Sequence, residues 1–349
     1  MDIRVREADI ESDGDALLDA LSRYLNPLAD RARFDWLYKN NPHGKVRAWI
    51  AFDNAGRTVV GTAAVFPRRV YNRDSEAIAW VLGDFCINDT YRALGPALTL
   101  QRAVLSALEP SGIPFCYDFP GRAMTAVYKR LKVEVFAEMI RLAKVVRVDR
   151  KLREHVRSEL LVNIMSAVGN AFLKVTAFRP EINKSVTMSL HKEKCGPEFD
   201  VLTGRVGPGF GFCVQRSADY INWRYLQNPY KKHELLTAKR DGTLVGFAVF
   251  AQNGLDGAIV DVFGENNSVV LGGLIRELIE ILRRRGVATI SAELIASHPW
   301  IGLFKGLGFY PREHKPLIVY WPRHSQSQSA SSDGSAVRSW FVTGGDRDS

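Results

Sequence analysis

The chain has 349 residues, 46% of them apolar and 24% charged, values of a folded globular protein that exclude disorder throughout and suit two domains. No run of about 18 apolar residues is present, which argues against a membrane-spanning helix, and the start Met1-Asp2-Ile3-Arg4-Val5-Arg6 lacks the apolar core of a secretory signal. A net charge of +9 favours polyanionic partners, among them nucleic acid, an anionic lipid surface or the phosphates of a cofactor. The cysteines Cys86, Cys116, Cys195 and Cys213 form no C-x-x-C pair and the histidines are scattered, so a reducing cytoplasm and no metal site are expected.

Residues 2–8 alternate and read as a first strand. Residues 11–24 carry Ala16, Leu17, Ala20, Leu21 and Tyr24 on one stripe, an amphipathic helix opening after Ser12-Asp13. An aromatic segment follows at 34–42, FDWLYKNNP. Strands at 47–52 and 58–70 then flank Asp53-Asn54-Ala55-Gly56, a hairpin signal. Residues 77–87 are apolar, aromatic and β-branched and read as the central strand. It runs through the polar turn Asn88-Asp89-Thr90-Tyr91 into a helix with Leu94, Ala97, Leu98, Leu105 and Leu108 at helical spacing. The free amides and positive dipole end of a helix that opens on small residues suit a phosphate. Another strand at 114–119 and a short helix at 123–131 complete the series.

Residues 87–97, INDTYRALGPA, resemble motif A of the GNAT acyltransferases: a hydrophobic strand end, then Gln or Arg, x-x-Gly-x and Gly or Ala. Arg92, Gly95 and Ala97 match its fixed positions. The resemblance implies an α+β fold of mixed, twisted β-sheet flanked by helices, with acetyl-CoA as acyl donor. It implies that the main chain of Arg92, Ala93, Leu94, Gly95 and Ala97 grips the pyrophosphate, and that the strand end at Phe85 and Ile87 pairs with the pantetheine. Pro96 departs from the pattern, having no N–H to give.

The second half of the chain repeats the first. Residues 221–229, INWRYLQNP, match 34–42 with Trp, Tyr, Asn and Pro in register; Val60-Gly61-Thr62-Ala63 recurs as Val245-Gly246-Phe247-Ala248, and residues 259–263 parallel 81–85. Two tandem GNAT-like domains are therefore expected, at 1–140 and 199–322, separated by a basic and amphipathic linker at 141–198 and followed by a disordered Ser-rich tail at 323–349. The second copy lacks the Arg-x-x-Gly-x-Ala turn. Its segment 303–309, LFKGLGF, resembles the GNAT motif B pattern Leu-Tyr-x-x-x-Gly-Phe with Phe304 in place of the tyrosine, whereas the first copy keeps Tyr128. The active copy should be the first.

The resemblance places Tyr128 near the donor sulfur as a general acid or hydrogen-bond donor to the thiolate. Asp84, inside an apolar strand, and Asp118, at a strand end, are candidate bases, and water is a third. Trp36, Tyr38 and Asn41 border the implied acceptor cleft, although the second copy repeats them. The expected activity is transfer of an acyl group from acetyl-CoA to an amine of a small molecule or amino sugar, in polysaccharide metabolism, in a cytoplasmic protein. The alternatives are a FemX-like aminoacyl transferase, whose RNA the basic charge would serve, or an inactive GNAT-fold binding protein. The basic run and apolar stripe at 141–175 suit peripheral membrane contact.

Overall fold

The computed structural model describes residues 3–53, 55–56, 58–72, 75–91, 94–147, 185–323 and 340–347. The alternating first segment is β1 (Ile3–Ala8), antiparallel to β2 (Arg47–Asp53). The hairpin at Asp53 then feeds β3 (Val59–Asn72), which pairs along its length with β4 (Ser75–Ile87). Strand period sorts the side chains: Ala48 and Ile50 of β2 pack with Leu17 and Leu21 of α1 (Gly14–Tyr24), while Trp49 and Ala51 pack on the other face with Leu100 and Val104 of α3 (Leu94–Leu108). The V-G-x-A step has a steric reason, since a Cβ on Gly61 would lie 2.4 Å from the Cys86 carbonyl oxygen and one on Gly246 3.3 Å from that of Phe263.

The aromatic segment is a short helix α2 (Arg31–Phe34) continued by a π-helical turn (Asp35–Lys39). The second copy does the same, with α6 (Ala218–Ile221) and a π-helical turn (Asn222–Leu226). The remaining elements of the first half are β5 (Cys116–Asp118), α4 (Arg122–Arg130) and β6 (Val135–Val145). The second half comprises β7 (Val186–His191), α5 (Pro197–Val206), β8 (Phe212–Val214), β9 (Glu234–Arg240), β10 (Thr243–Asn253), β11 (Asp256–Gly264), α7 (Ser268–Arg284), β12 (Thr289–Ile295), α8 (Ile301–Gly306), β13 (Tyr310–Tyr320) and β14 (Trp340–Phe341).

One mixed sheet joins the halves in the order β1-β2-β3-β4-β5-β13-β6-β12-β11-β10-β9-β7, with β8 on β3 and β14 on β8. The last strand of each half is exchanged. β13 pairs with β5, and its Leu317 and Val319 enter the first core; β6 pairs with β12, and its Ile140 and Leu142 enter the second. The repeated tryptophans close the same seam: Trp36 Nε1 donates to the Trp223 carbonyl and Trp223 Nε1 to the Trp36 carbonyl, both at 2.8 Å, with the rings stacked at 5.3 Å. Such reciprocity is what a pseudo-two-fold axis between two copies requires.

Two expectations change. The sequence boundary at 140 falls inside β6, and both ends of the expected linker are sheet, at β6 and β7. The basic side chains there are paired, Arg141 across strands with Glu313 at 2.8 Å and Lys144 with the carbonyl of Leu307, the C-cap of α8, at 2.7 Å. Residues 148–184, which hold the apolar stripe offered for membrane contact, lie outside the described residues. Among the described residues no helix is long and apolar enough to cross a membrane.

The second change is the tail. Residues 340–347 are built into the structure: Trp340 stacks on Phe212, a capping box closes Thr343–Asp346, and the buried Asp346 carboxylate sits 2.9 Å from Arg216. Arg216, at 0% exposure, needs that charge. Burial pushes its guanidinium down, and Asp261 and Asp346 more than offset it. Removing one partner of a buried pair is costly, so Asp346→Ala should lower stability by roughly 3 kcal/mol. Urea denaturation checks this, and an unchanged midpoint would mean the tail is not anchored.

Burial also lowers three histidines below their usual value: His233 to about 4, His298 to about 3, and His43 well below 6.5. The folded state holds them neutral while the unfolded chain binds their protons. Stability is therefore full above about pH 6.5 and falls as pH drops, by about 1.4 kcal/mol per histidine at pH 5.5. Urea midpoints at pH 7.5 and 5.5 measure the loss.

Candidate active site

β4 and β5 run parallel but pair only at Trp80 with Cys116 and Val81 with Tyr117. β5 stops at Asp118 while β4 continues to Ile87, so the strands part and the edge of β4 has no ladder partner there among the described residues. A cavity of about 190 Å³ opens in the gap, lined among others by Gly83, Asp84, Phe85, Gln101, Asp118 and Tyr128. The expected Asp84, Phe85, Asp118 and Tyr128 are thus brought together from β4, β5 and α4.

A β-bulge shapes the wall. Gly83 faces Ala64 and Cys86 faces Thr62, so Asp84 and Phe85 oppose a single residue, with Asp84 in the left-handed region at φ +48°. Its carboxylate takes two bonds from Arg33, at 2.8 and 2.6 Å, and one from the Tyr38 hydroxyl at 2.9 Å. Burial first, then the Asp84 charge, pushes the Tyr38 phenol well above 10, so it stays a donor. Asp84 is therefore the anchor of a buried charge pair, not a free base. The second copy repeats the device with a different cation: Asp261 accepts from Arg216 at 3.0 and 3.2 Å and from the Tyr225 hydroxyl at 2.8 Å.

Asp118 and Tyr128 form a second polar group. The buried Tyr128 hydroxyl donates to Asp118 Oδ2 at 2.7 Å and accepts from Gln101 Nε2 at 3.3 Å. Burial and the neighbouring Asp118 charge raise the Tyr128 phenol well above its ordinary value, so it carries its proton at every working pH. Gln101 went unread in the sequence, though its signal is there: it is a polar residue on the Ala97, Leu105, Leu108 stripe of α3. Arg33 carried no such signal.

At the start of α3, Arg92 and Ala93 lie outside the described residues. Among the described residues no side chain accepts from the Leu94 or Gly95 amide, and a Cβ on Gly95 would meet nothing within 4 Å. Pro96 gives no donor. Ala97 lies past the orphan amides, so it contributes smallness and no N–H. Ile87 is buried at the strand end, paired with Gly61. These features fit an anionic, phosphate-bearing ligand.

The corresponding places in the second half are closed. The Asn267 side chain accepts from the Val269 and Val270 amides at 3.0 and 3.2 Å, capping α7. Between β11 and β12, which also part, the gap takes the chain's own end: Leu294 bridges to Thr343, and Thr343 Oγ1 donates to Asp261 at 2.9 Å. Trp36, Tyr38 and Asn41 do not line the cavity. Trp36 is in the seam, Tyr38 holds Asp84, and Asn41 Oδ1 accepts from the His43 amide. Their place in the fold explains why both copies keep them. Among the described residues no group of three His, Cys, Asp or Glu side chains is placed to hold a metal.

Solved structures share this architecture over nearly the whole chain. A GCN5-related N-acetyltransferase from Anabaena variabilis aligns with a TM-score of 0.62 at 12% identity, over 91% of this chain and 72% of that one. The fold is that of the GCN5-related N-acetyltransferases. A conserved Enterococcus faecalis V583 protein of unknown function aligns with a TM-score of 0.65 at 12% identity, over 93% of this chain and 74% of that one. Saccharomyces cerevisiae N-myristoyltransferase with bound myristoyl-CoA aligns at 0.56 with 11% identity, over 91% and 82%. No protein-family model and no curated protein matches the sequence. The GNAT fold is thus retained at an identity where only the architecture carries over.

The Asp84 anchor is testable. Arg33→Met leaves a buried carboxylate without its cation and should cost roughly 3–5 kcal/mol, most of it recovered by adding Asp84→Asn. Chemical denaturation of the three variants decides, since a free base would lose little with Arg33.

Proposed function

We propose that the first half is an acyl-CoA-dependent N-acyltransferase acting on the amine of a small molecule. The observation that carries this is the contrast between the two copies of one cleft. The first keeps a helix start whose Leu94 and Gly95 amides meet no side-chain acceptor among the described residues, and a cavity holding Asp118 and Tyr128; the second is sealed at both places by Asn267 and residues 342–346.

The donor's thioester supplies an activated acyl carbonyl. The Leu94 and Gly95 amides and the positive end of α3 suit its diphosphate, with Pro96 leaving the cradle one donor short. The edge of β4 near Phe85, without a ladder partner among the described residues, offers main-chain partners to an amide-bearing arm. At about 190 Å³ the cavity is smaller than ordinary ligand clefts of roughly 300–1,000 Å³, which favours acetyl or another short acyl group over a long chain. Asp118 attracts the acceptor's ammonium and takes its proton. The free amine's electron pair then forms the C–N bond as the C–S bond breaks. The proton on Asp118 passes through the Tyr128 hydroxyl to the departing sulfur, and the second proton, released by the newly acylated nitrogen, is taken by the Asp118 carboxylate so freed and passed to solvent. Because the aromatic segment at 36–42 is occupied with the fold, the acceptor's class rests on Asp118: a cationic amine, with amino sugars and polyamines alike in scope.

The test is mass spectrometry of polyamines, amino sugars and aminoglycosides incubated with acetyl-CoA. Acylated product is expected, with kcat falling about 10²-fold in Tyr128→Phe and KM little changed. Equal rates in the variant would remove Tyr128 from the chemistry. No product with any acceptor, and no heat with acetyl-CoA at millimolar concentration, would leave a binding protein whose cradle Pro96 has disabled.

A further inference from the structure

Behind the active cleft, the seam between the halves buries a set of polar groups that the acyltransferase reading does not use. Arg68 of β3 is 0% exposed. Its Nη1 donates to the Pro67 carbonyl at 2.9 Å, but its Nε and Nη2 have no hydrogen-bond partner among the described residues. Two other buried arginines are balanced by carboxylates, Arg33 by Asp84 and Arg216 by Asp261 and Asp346, and Arg68 has no carboxylate among the described residues. Its guanidinium lies 5.9 Å from the Tyr220 ring centre and 5.4 Å from that of Trp223. The aromatic faces ease the charge without satisfying the N–H groups.

The neighbours carry the same deficit. Tyr220 is 0% exposed and its hydroxyl has no partner; the His43 ring stacks flat on it at 4.5 Å. His43 Nδ1 accepts from the Arg69 amide at 3.1 Å, so in the neutral ring Nε2 carries the proton, and that N–H is also unpartnered. Burial, then Arg68 and Arg69, keeps this ring neutral by lowering it well below 6.5. Asn41 Oδ1 is occupied by the His43 amide, which fixes its Nδ2 as a further unpartnered donor. Every orphan here gives a proton and none can accept one without Tyr220. A buried set of this kind lacks one thing, an acceptor with negative charge.

We propose that the seam holds a bound monoanion of halide size, seated on Arg68 Nε and Nη2 and completed by the Tyr220 hydroxyl and His43 Nε2–H. It neutralises an arginine that is fully buried and has no carboxylate among the described residues, and it ties β3 of the first half to α6 of the second. Its role is structural, at the joint that sets the two copies against each other, and it stands whether or not the first half transfers acyl groups.

The test uses bromide. Crystals of the full chain grown with sodium bromide should show an anomalous peak within hydrogen-bond distance of Arg68 Nε and Tyr220 Oη. In solution, the melting temperature should rise with sodium chloride against sodium gluconate at equal ionic strength. Tyr220→Phe keeps the ring and removes one donor, and should raise the half-effect chloride concentration about tenfold. Water alone at the site, or a carboxylate of the chain itself on Arg68, would overturn the proposal. So would melting curves identical in chloride and gluconate.

Discussion

Two parallel strands that separate after a short ladder leave main-chain donors and acceptors without partners, and a folded chain must fill that gap or use it. Both halves of this protein meet the constraint, because each pairs its parallel strands over a few residues and then lets them diverge. The first half leaves the gap as a cavity and stiffens its wall with the Asp84, Arg33 and Tyr38 cluster. The second feeds its own C-terminal residues into the gap and ties them to Asp261 through Thr343 and Arg216. One architectural problem has two solutions within a single chain.

The exchange of final strands ties the two halves into one sheet. β13 belongs by sequence to the second half but supplies core to the first, and β6 does the converse. The tryptophan pair adds two buried hydrogen bonds across the same seam. Divergence of the copies is then cheap in fold terms: either cleft can be sealed while the shared sheet keeps its shape. Under the proposed function, the open cleft of the first half is the working one and the filled gap of the second is support.

Local patterns carried the hairpin at Asp53, the amphipathic helices α1 and α3 and the central strand β4. These depend on neighbours in sequence. β6 was not legible, because Arg141 and Lys144 interrupt its alternation and their partners, Glu313 and the Leu307 carbonyl, come from the far half. Residues 340–347 were hidden behind a Ser-rich stretch, since the reason for their order is a charge on Arg216 that is 130 positions away. At the site, Tyr128, Asp84 and Asp118 could be picked out by type and place. The role of Asp84 could not, because Arg33 reaches it only once α2 folds onto the bulge. Asn267 sits at a helix start where a cap is ordinary, and it became informative only by contrast with α3, whose Leu94 and Gly95 amides meet no side-chain acceptor among the described residues.

The most direct measurement is a crystal structure of the full chain grown with coenzyme A. This account predicts ligand density between β4 and β5, its phosphates beside Gly95, with residues 342–346 still filling the gap between β11 and β12. Coenzyme A lodged between β11 and β12 with the tail displaced, or an unliganded first half at saturating ligand, would contradict it.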